Sequence, residues 1–267
     1  MSYKIALAQF PGGGTSRMET NAWVTTTVRR MDRDHRISDV VSLTYNDTPI
    51  TMCRNRAVLD ARSSGCAYLL MIDSDVWPDR PGPNPFWGVA WDFMLGRDDH
   101  DPPATIAAPY CGPPPDECVY VFTWTSHESD TPNPSFRLEM VSREHAAIKA
   151  GVEEVAALPT GLILYDMRVF DILPPPWFRY EWGDVAESIK ATTEDVYQTR
   201  NASLLKLPQY CAWDCWATHM KVKAVGKPQV VRRDEVHESL REAVLRGFDH
   251  GDRLITLRKG GSNSDDA

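Results

Sequence analysis

The chain has 267 residues, 42% of them hydrophobic and 25% charged, enough to bury one large core or two modest ones. A formal net charge of −8 argues against general polyanion binding. No run approaches the ~18 consecutive apolar residues of a membrane-crossing helix, so no membrane partner is expected.

The opening stretch "MSYKIALAQFPGGG" lacks the basic start of a secretory signal, which makes a cytoplasmic location the expectation. Its "YKIALAQF" reads as a first strand running into the loop "PGGGTSR". A helix is expected from Met18 to Arg33, then a strand "ISDVVSLTY". "ITMCRNRAVLDARSSG" has helical character, with Cys53, Ala57 and Ala61 four residues apart and Gly65 as a stop. That helix feeds the apolar run Leu69–Ile72. Strand, helix, strand, helix, strand implies a parallel sheet with helices on both faces, whose ligands bind at the carboxyl ends of the strands. The "PGGGTSR" loop and the residues after Ile72 are both at such ends and should be neighbours in space.

Beyond Trp77, "PDRPGPNP" is a loop, "FWGVAWDFML" a helix, "PATIAAPY" a strand and "GPPPDE" a second proline loop. "VYVFTW" and "FRLEMV" read as an antiparallel pair around the turn "SHESDTPNPS". Then come a strand "LPTGLILYD", a short helix "MRVFDIL", an aromatic loop "PPPWFRYEWG", and a helix "TTEDVYQTRNASLLKL". That helix carries Glu194 and Asp195 in its first turn. "QYCAWDCWATHMKVKAV" supplies the last strands and "DEVHESLREAVLRGF" a final helix. With no repeat or linker, residues 1–259 are expected to form a single domain and 260–267 a flexible tail. The six cysteines include no C-x-x-C pair, and the spacings in "CGPPPDEC" and "CAWDC" do not suit the common zinc knuckles, so free thiols are expected.

The stretch "LLMIDSDVWP" carries the chemistry. Asp73 and Asp75 stand one residue apart where a buried strand leaves the core, and each raises the cost of ionising the other. Two carboxylates there suit a hard divalent cation such as Mg²⁺ or Mn²⁺, whereas the plain alternative is a polar strand exit. Arg54 can fork onto phosphate oxygens or onto the aspartates. Trp177, Phe178 and Trp182 offer flat rings for a sugar or nucleobase, or else a small satellite core.

Taken in order, "FPGG", "CRNRAVLDARSSGCAYLLMIDSDVWP", "PTGLILYDMRVFDILPPPWF" with "TTEDV", and "THMKVKAVG" resemble the GT-A glycosyltransferases over roughly Lys4 to Gly226. Short phage-encoded and bacterial members look closest. The resemblance implies an α/β, GT-A-like fold: a Rossmann-like central sheet with helices on both faces and an antiparallel acceptor-side subsheet. It implies a UDP-sugar donor and a Mn²⁺ or Mg²⁺ ion. Pro11, Gly12, Arg54, Asp73, Ser74 and Asp75 would meet the donor. Asp75, His219 and Asp73 would serve the metal, with Asp73 on the ribose or on the ion's water shell. Asp195 or Glu194 would be the acceptor base, which slightly favours inversion. Gly161, Trp177, Phe178 and Trp182 would face the acceptor.

Two other readings stand beside this one. "PGGGTSRM" superficially fits a sugar-nucleotide pyrophosphorylase, but that chemistry has no use for Glu194, Asp195 or His219. A sugar-nucleotide-binding module without activity is the third. For the acceptor, ten Lys/Arg stand against six Asp/Glu between Lys221 and Lys259, a basic segment able to meet DNA. A hydroxymethylated pyrimidine base in phage DNA is the expected acceptor, with a protein, glycan or metabolite as alternatives.

Overall fold

The computed structural model describes residues 2–11, 17–46, 49–80, 84–98, 100–112, 118–127, 135–182 and 190–220. The tip of the "PGGGTS" loop, residues 128–134 of the expected "SHESDTPNPS" turn, the final helix, the basic 221–259 segment and the tail all lie outside them, while Ser126, His127 and Ser135 of that turn belong to strands.

The first half follows the expected alternation. In chain order it contains β1 (Tyr3–Phe10), α1 (Met18–Met31), β2 (Ile37–Thr44), α2 (Ile50–Ser63), β3 (Tyr68–Asp73), β4 (Val76–Trp77), α3 (Phe86–Leu95) and β5 (Thr105–Ala107). The antiparallel pair follows as β6 (Phe122–His127) and β7 (Ser135–Met140), then α4 (Arg143–Ile148) and β8 (Val152–Val155). The remainder is β9 (Leu162–Asp166), α5 (Val169–Ile172), β10 (Glu181–Trp182), β11 (Lys190–Thr192), α6 (Glu194–Leu204), β12 (Gln209–Ala212) and β13 (Thr218–His219). The sequence did not announce β4, β8, β10, β11 or α4. All are short, and the strands are defined by their pairing partners more than by an apolar pattern of their own.

Seven strands form one sheet in the order β2-β1-β3-β9-β5-β12-β8. Five run one way; β9 and β8 oppose them. The period-2 alternation of each strand divides the interior into two cores. Ala6, Ala8, Leu69, Met71, Ile163 and Tyr165 point to one face, where α2, α5 and α6 pack. Ile5, Leu7, Leu70, Ile72, Leu162 and Leu164 point to the other, covered by α1 and α3. This is the GT-A-like, Rossmann-like arrangement the sequence implied. Cys53, Ala57 and Ala61 form the buried stripe of α2, and Gly65 leaves that helix at φ 69°, a left-handed conformation that glycine adopts without strain. None of the six cysteines is in a disulfide among the described residues.

One backbone joint fixes where β3 ends. Asp73 N–H donates to the Gly161 carbonyl at 2.8 Å, and Gly161 N–H donates to the Tyr110 hydroxyl at 3.2 Å. A Cβ at Gly161 would lie 2.7 Å from that hydroxyl and 3.0 Å from the Tyr110 ring, which is itself buried. Gly161 therefore meets the end of β3 through its backbone, and a side chain there would press on Tyr110. Gly161→Ala is expected to cost about 1–3 kcal/mol by overpacking, read as a lower denaturant midpoint. An unchanged midpoint would show that Tyr110 moves aside freely.

Candidate functional site

At the carboxyl end of β3 the chain turns through Ser74 and Asp75. The Thr20 hydroxyl of α1 spans the turn, donating to the Ser74 carbonyl at 3.1 Å and the Val76 carbonyl at 2.7 Å. β4 then pairs antiparallel with β13, so that Val76 stands opposite His219, and Met220 N–H donates to the Asp75 carbonyl at 2.7 Å. This short ladder brings together residues far apart in the chain. His219 Nε2 lies 3.3 Å from Asp75 Oδ2, while its Nδ1 lies 3.2 Å from the Cys111 carbonyl. A carbonyl can only accept, so Nδ1 carries the proton there and, in the neutral ring, Nε2 turns its lone pair towards Asp75. Tyr110 packs against the imidazole with ring centroids 4.9 Å apart, and Tyr120 at 6.3 Å.

A carboxylate oxygen and an imidazole nitrogen facing each other make a donor pair that could hold Mn²⁺ or Mg²⁺. Among the described residues, no group of three His, Cys, Asp or Glu side chains converges as a metal cluster. Asp73, the expected third member, is turned elsewhere.

It is turned to Arg54. Nη2 of this arginine reaches both oxygens of Asp73, at 3.0 and 2.9 Å, and Nη1 donates to Glu194 Oε1 at 2.7 Å. Arg54 is only 3% exposed, with the Phe10 and Phe178 rings 5.8 and 6.0 Å from its guanidinium carbon. Of the two roles open to Arg54 in the sequence, the structure has it forking onto carboxylates. Burial alone would lower its pKa, but Asp73, Glu194 and Asp195 more than reverse that, so it stays charged. Burial pushes the Asp73 carboxyl up; Arg54 pulls it back, and Asp75 and Asp195 push it further. Burial also pushes Glu194 up, again opposed by Arg54 and reinforced by Asp195. Asp73 and Glu194 thus flank one buried guanidinium, with Asp195 acting on it and Asp75 acting on Asp73, an excess of acidic groups that a divalent cation would relieve.

Asp195 has a different environment. Its Oδ1 accepts from Val196 N–H at 2.8 Å and from the Thr193 hydroxyl, whereas Oδ2 has no hydrogen-bond partner among the described residues. In the sequence Arg17 is simply the end of the glycine-rich loop. It stands beside the turn, with Nη2 3.4 Å from the Met220 carbonyl and its N–H 3.5 Å from the Ser74 carbonyl. Its position just after "PGGGTS" was the one available signal. Pro11 is buried at the end of β1, and Gly12 lies outside the described residues.

The aromatic loop separates into two parts. Trp177 and Phe178 are 5% and 1% exposed and belong to the core. The Trp177 indole N–H is shared between the Phe170 and Leu173 carbonyls, and the burial of both rings keeps them from the surface. Here the sequence expectation is corrected: Pro-Trp-Phe is a packing element. Trp182, 41% exposed and 6.3 Å from Tyr180, is the ring left at the surface. Asn55 fastens the loop to α2. Its Oδ1 accepts from Trp177 N–H at 3.0 Å and Phe178 N–H at 3.1 Å, and its Nδ2 donates to the Phe178 carbonyl at 2.7 Å.

No family profile and no curated protein matches the sequence. Among solved structures, the chain is similar to A197 from STIV, with a TM-score of 0.51 and 14% identity over 85% of this chain and 98% of that one. A looser likeness is to GalNAc-T7 with UDP, GalNAc and Mn²⁺, at TM-score 0.42 and 7% identity over 82% of this chain and 44% of that one. Another is to a glycosyltransferase involved in glycosylation of the major capsid of PBCV-1, at TM-score 0.30 and 12% identity over 65% and 68% of the two chains. At 14% identity the likeness to A197 is one of fold.

Asn55→Ala strands two loop N–H groups next to the Arg54 cluster. It is expected to destabilise the protein by about 1–3 kcal/mol, measured by denaturant unfolding. A loss within about 0.5 kcal/mol, the range of ordinary surface substitutions, would mean the loop holds itself.

Proposed function

We propose that this chain is a metal-dependent glycosyltransferase, moving a sugar from a nucleotide diphosphate donor, UDP-sugar by preference, to a hydroxyl acceptor. The observation that carries the reading is the Asp75–His219 pair, 3.3 Å apart at the carboxyl end of the sheet and adjoining the Arg54 carboxylate cluster. Ligands of open α/β sheets bind at that end of the strands.

Asp75 and His219 would hold Mn²⁺ or Mg²⁺, and the chemistry such an ion supplies is stabilisation of the departing diphosphate as its charge grows. Asp73, kept in place by Arg54, faces the donor. Arg17 adds a cation at the same mouth, where phosphate oxygens gather. On the acceptor side, Asp195 takes the proton of the attacking hydroxyl through Oδ2. The hydroxyl oxygen bonds to the anomeric carbon, the bond from that carbon to the diphosphate breaks, and the diphosphate leaves with the electron pair. A base acting directly in this way corresponds to inversion. The exposed ring of Trp182 is a surface for the acceptor.

The acceptor proposal, a hydroxymethylated pyrimidine base in DNA, rests on the basic 221–259 stretch of the sequence. Mass spectrometry of DNA from cells making this protein together with a hydroxymethylating enzyme is expected to find glycosylated bases. Unmodified hydroxymethyl bases alongside active donor hydrolysis would move a protein, glycan or metabolite acceptor ahead.

The donor half is tested by calorimetry with UDP and Mn²⁺ and by a donor-hydrolysis assay. UDP should bind only with metal, EDTA should stop hydrolysis and Mn²⁺ or Mg²⁺ restore it. Asp75→Ala and His219→Ala should each lose the metal-dependent binding. Full activity in chelator, or an Asp75→Ala protein as active as the wild type, contradicts the assignment, and turnover requiring a nucleoside triphosphate favours a pyrophosphorylase.

A further inference from the structure

Glu194 and Asp195 are adjacent in the first turn of α6, and sequence alone offers either as the acceptor base. The structure treats them differently. Glu194 is 8% exposed and gives Oε1 to Arg54, whereas Asp195 keeps one oxygen without a partner among the described residues. The same guanidinium holds both oxygens of Asp73. It therefore joins three elements: α2, which carries it, the end of β3 and the start of α6, with Arg54 and Glu194 140 positions apart in the chain.

We propose that Arg54 is a positioning residue that sets the acceptor-side turn of α6 against the donor-side end of β3, and that Glu194 is its counter-ion, leaving Asp195 to act on the acceptor.

The geometry supports this in three ways. The planar fork of Arg54 reaches two carboxylates on separate elements through separate nitrogens, which a lysine's single ammonium reproduces poorly. The flanking Phe10 and Phe178 rings confine the guanidinium, and Phe178 is itself held by Asn55, the next residue along α2. Finally, Nε of Arg54 is buried with no hydrogen-bond partner among the described residues, so the polar contacts of the guanidinium there are those of its two terminal nitrogens. A shift of either carboxylate is thereby passed to the other. Misplacement of a reacting group by about 1 Å can cost on the order of 10²-fold in rate, so such a strut matters even though it touches neither substrate.

This inference rests on the glycosyltransferase reading, and the two fail in different ways. The test is steady-state kinetics of UDP-sugar hydrolysis with Mn²⁺ for Arg54→Lys, Glu194→Gln, the double variant and Asp195→Asn, all below their melting temperatures. Glu194→Gln keeps a carbonyl that accepts from Arg54, and should lower kcat roughly 3- to 10-fold with the donor KM unchanged. Arg54→Lys should lower kcat by a similar factor and also raise the donor KM, because it loosens Asp73 as well. The double variant should have the kcat of Arg54→Lys, since residues acting as one unit are not additive. Asp195→Asn should lose roughly 10²–10⁴ in kcat. Glu194→Gln as inactive as Asp195→Asn, or fully additive effects of the two substitutions at the strut, would overturn the inference while leaving a transferase. Arg54 variants that melt lower yet show wild-type kcat and KM would reduce Arg54 to a stabilising role and overturn it too. A wild type that neither binds UDP with metal nor hydrolyses a donor overturns the functional reading, and this assignment of roles with it. Where Arg54→Lys does not fold, the Glu194→Gln and Asp195→Asn comparison decides alone.

Discussion

A buried arginine needs partners, and in this chain that need ties the site together. Arg54 sits among apolar rings with its charge intact, which is tolerable only because Asp73 and Glu194 come to it from other elements. Removing either carboxylate leaves one terminal nitrogen of the guanidinium without the partner it has now; removing the arginine leaves two partly desolvated carboxylates without their shared cation. The end of β3, the first turn of α6 and the aromatic loop over α2 are all fixed relative to this one side chain. The Asp75–His219 pair then hangs from the same strand end through the β4–β13 ladder.

Electrostatics and geometry lead to the same place. Two carboxylates share one buried guanidinium, with Asp75 and Asp195 adding negative charge beside them, and burial makes the charges on Asp73 and Glu194 costlier than they would be in water. Such a mouth favours cations. Phosphates approach it well only together with a metal ion or beside Arg17. The divalent ion of the proposed reaction accordingly answers an imbalance already present in the protein. The tautomer of His219 set by the Cys111 carbonyl turns the ring nitrogen that such an ion needs towards Asp75.

Much of this was legible in the sequence because it is local. The apolar runs of β1, β3 and β9, the four-residue stripe of α2 and the alternation of strands and helices fixed the sheet and its two faces, and with them the end where Asp73 and Asp75 emerge. What stayed hidden was decided by long-range pairing. Nothing within "IDSDVWP" shows that Val76 will lie opposite His219, since a two-residue strand has no period of its own. Asn55 reads as a polar helix residue until the aromatic loop arrives to be held by it. The same loop shows why aromatic content is a poor guide to recognition. Its sequence gives Trp177, Phe178 and Trp182 equal standing, yet Asn55 and two backbone carbonyls draw the first two into the core and leave only the third at the surface.

The central claim is that the carboxyl end of the sheet is a metal-nucleotide site built on Asp75 and His219. Its most direct test is a crystal of the protein soaked with Mn²⁺ and UDP, with diffraction recorded at the manganese absorption edge. The account predicts one strong anomalous peak between Asp75 Oδ2 and His219 Nε2, each about 2.0–2.3 Å from it, with diphosphate oxygens completing the coordination and Asp73 still paired with Arg54. UDP bound at that end of the sheet with no peak there, or a peak held by Asp73 after its release from Arg54, would contradict it.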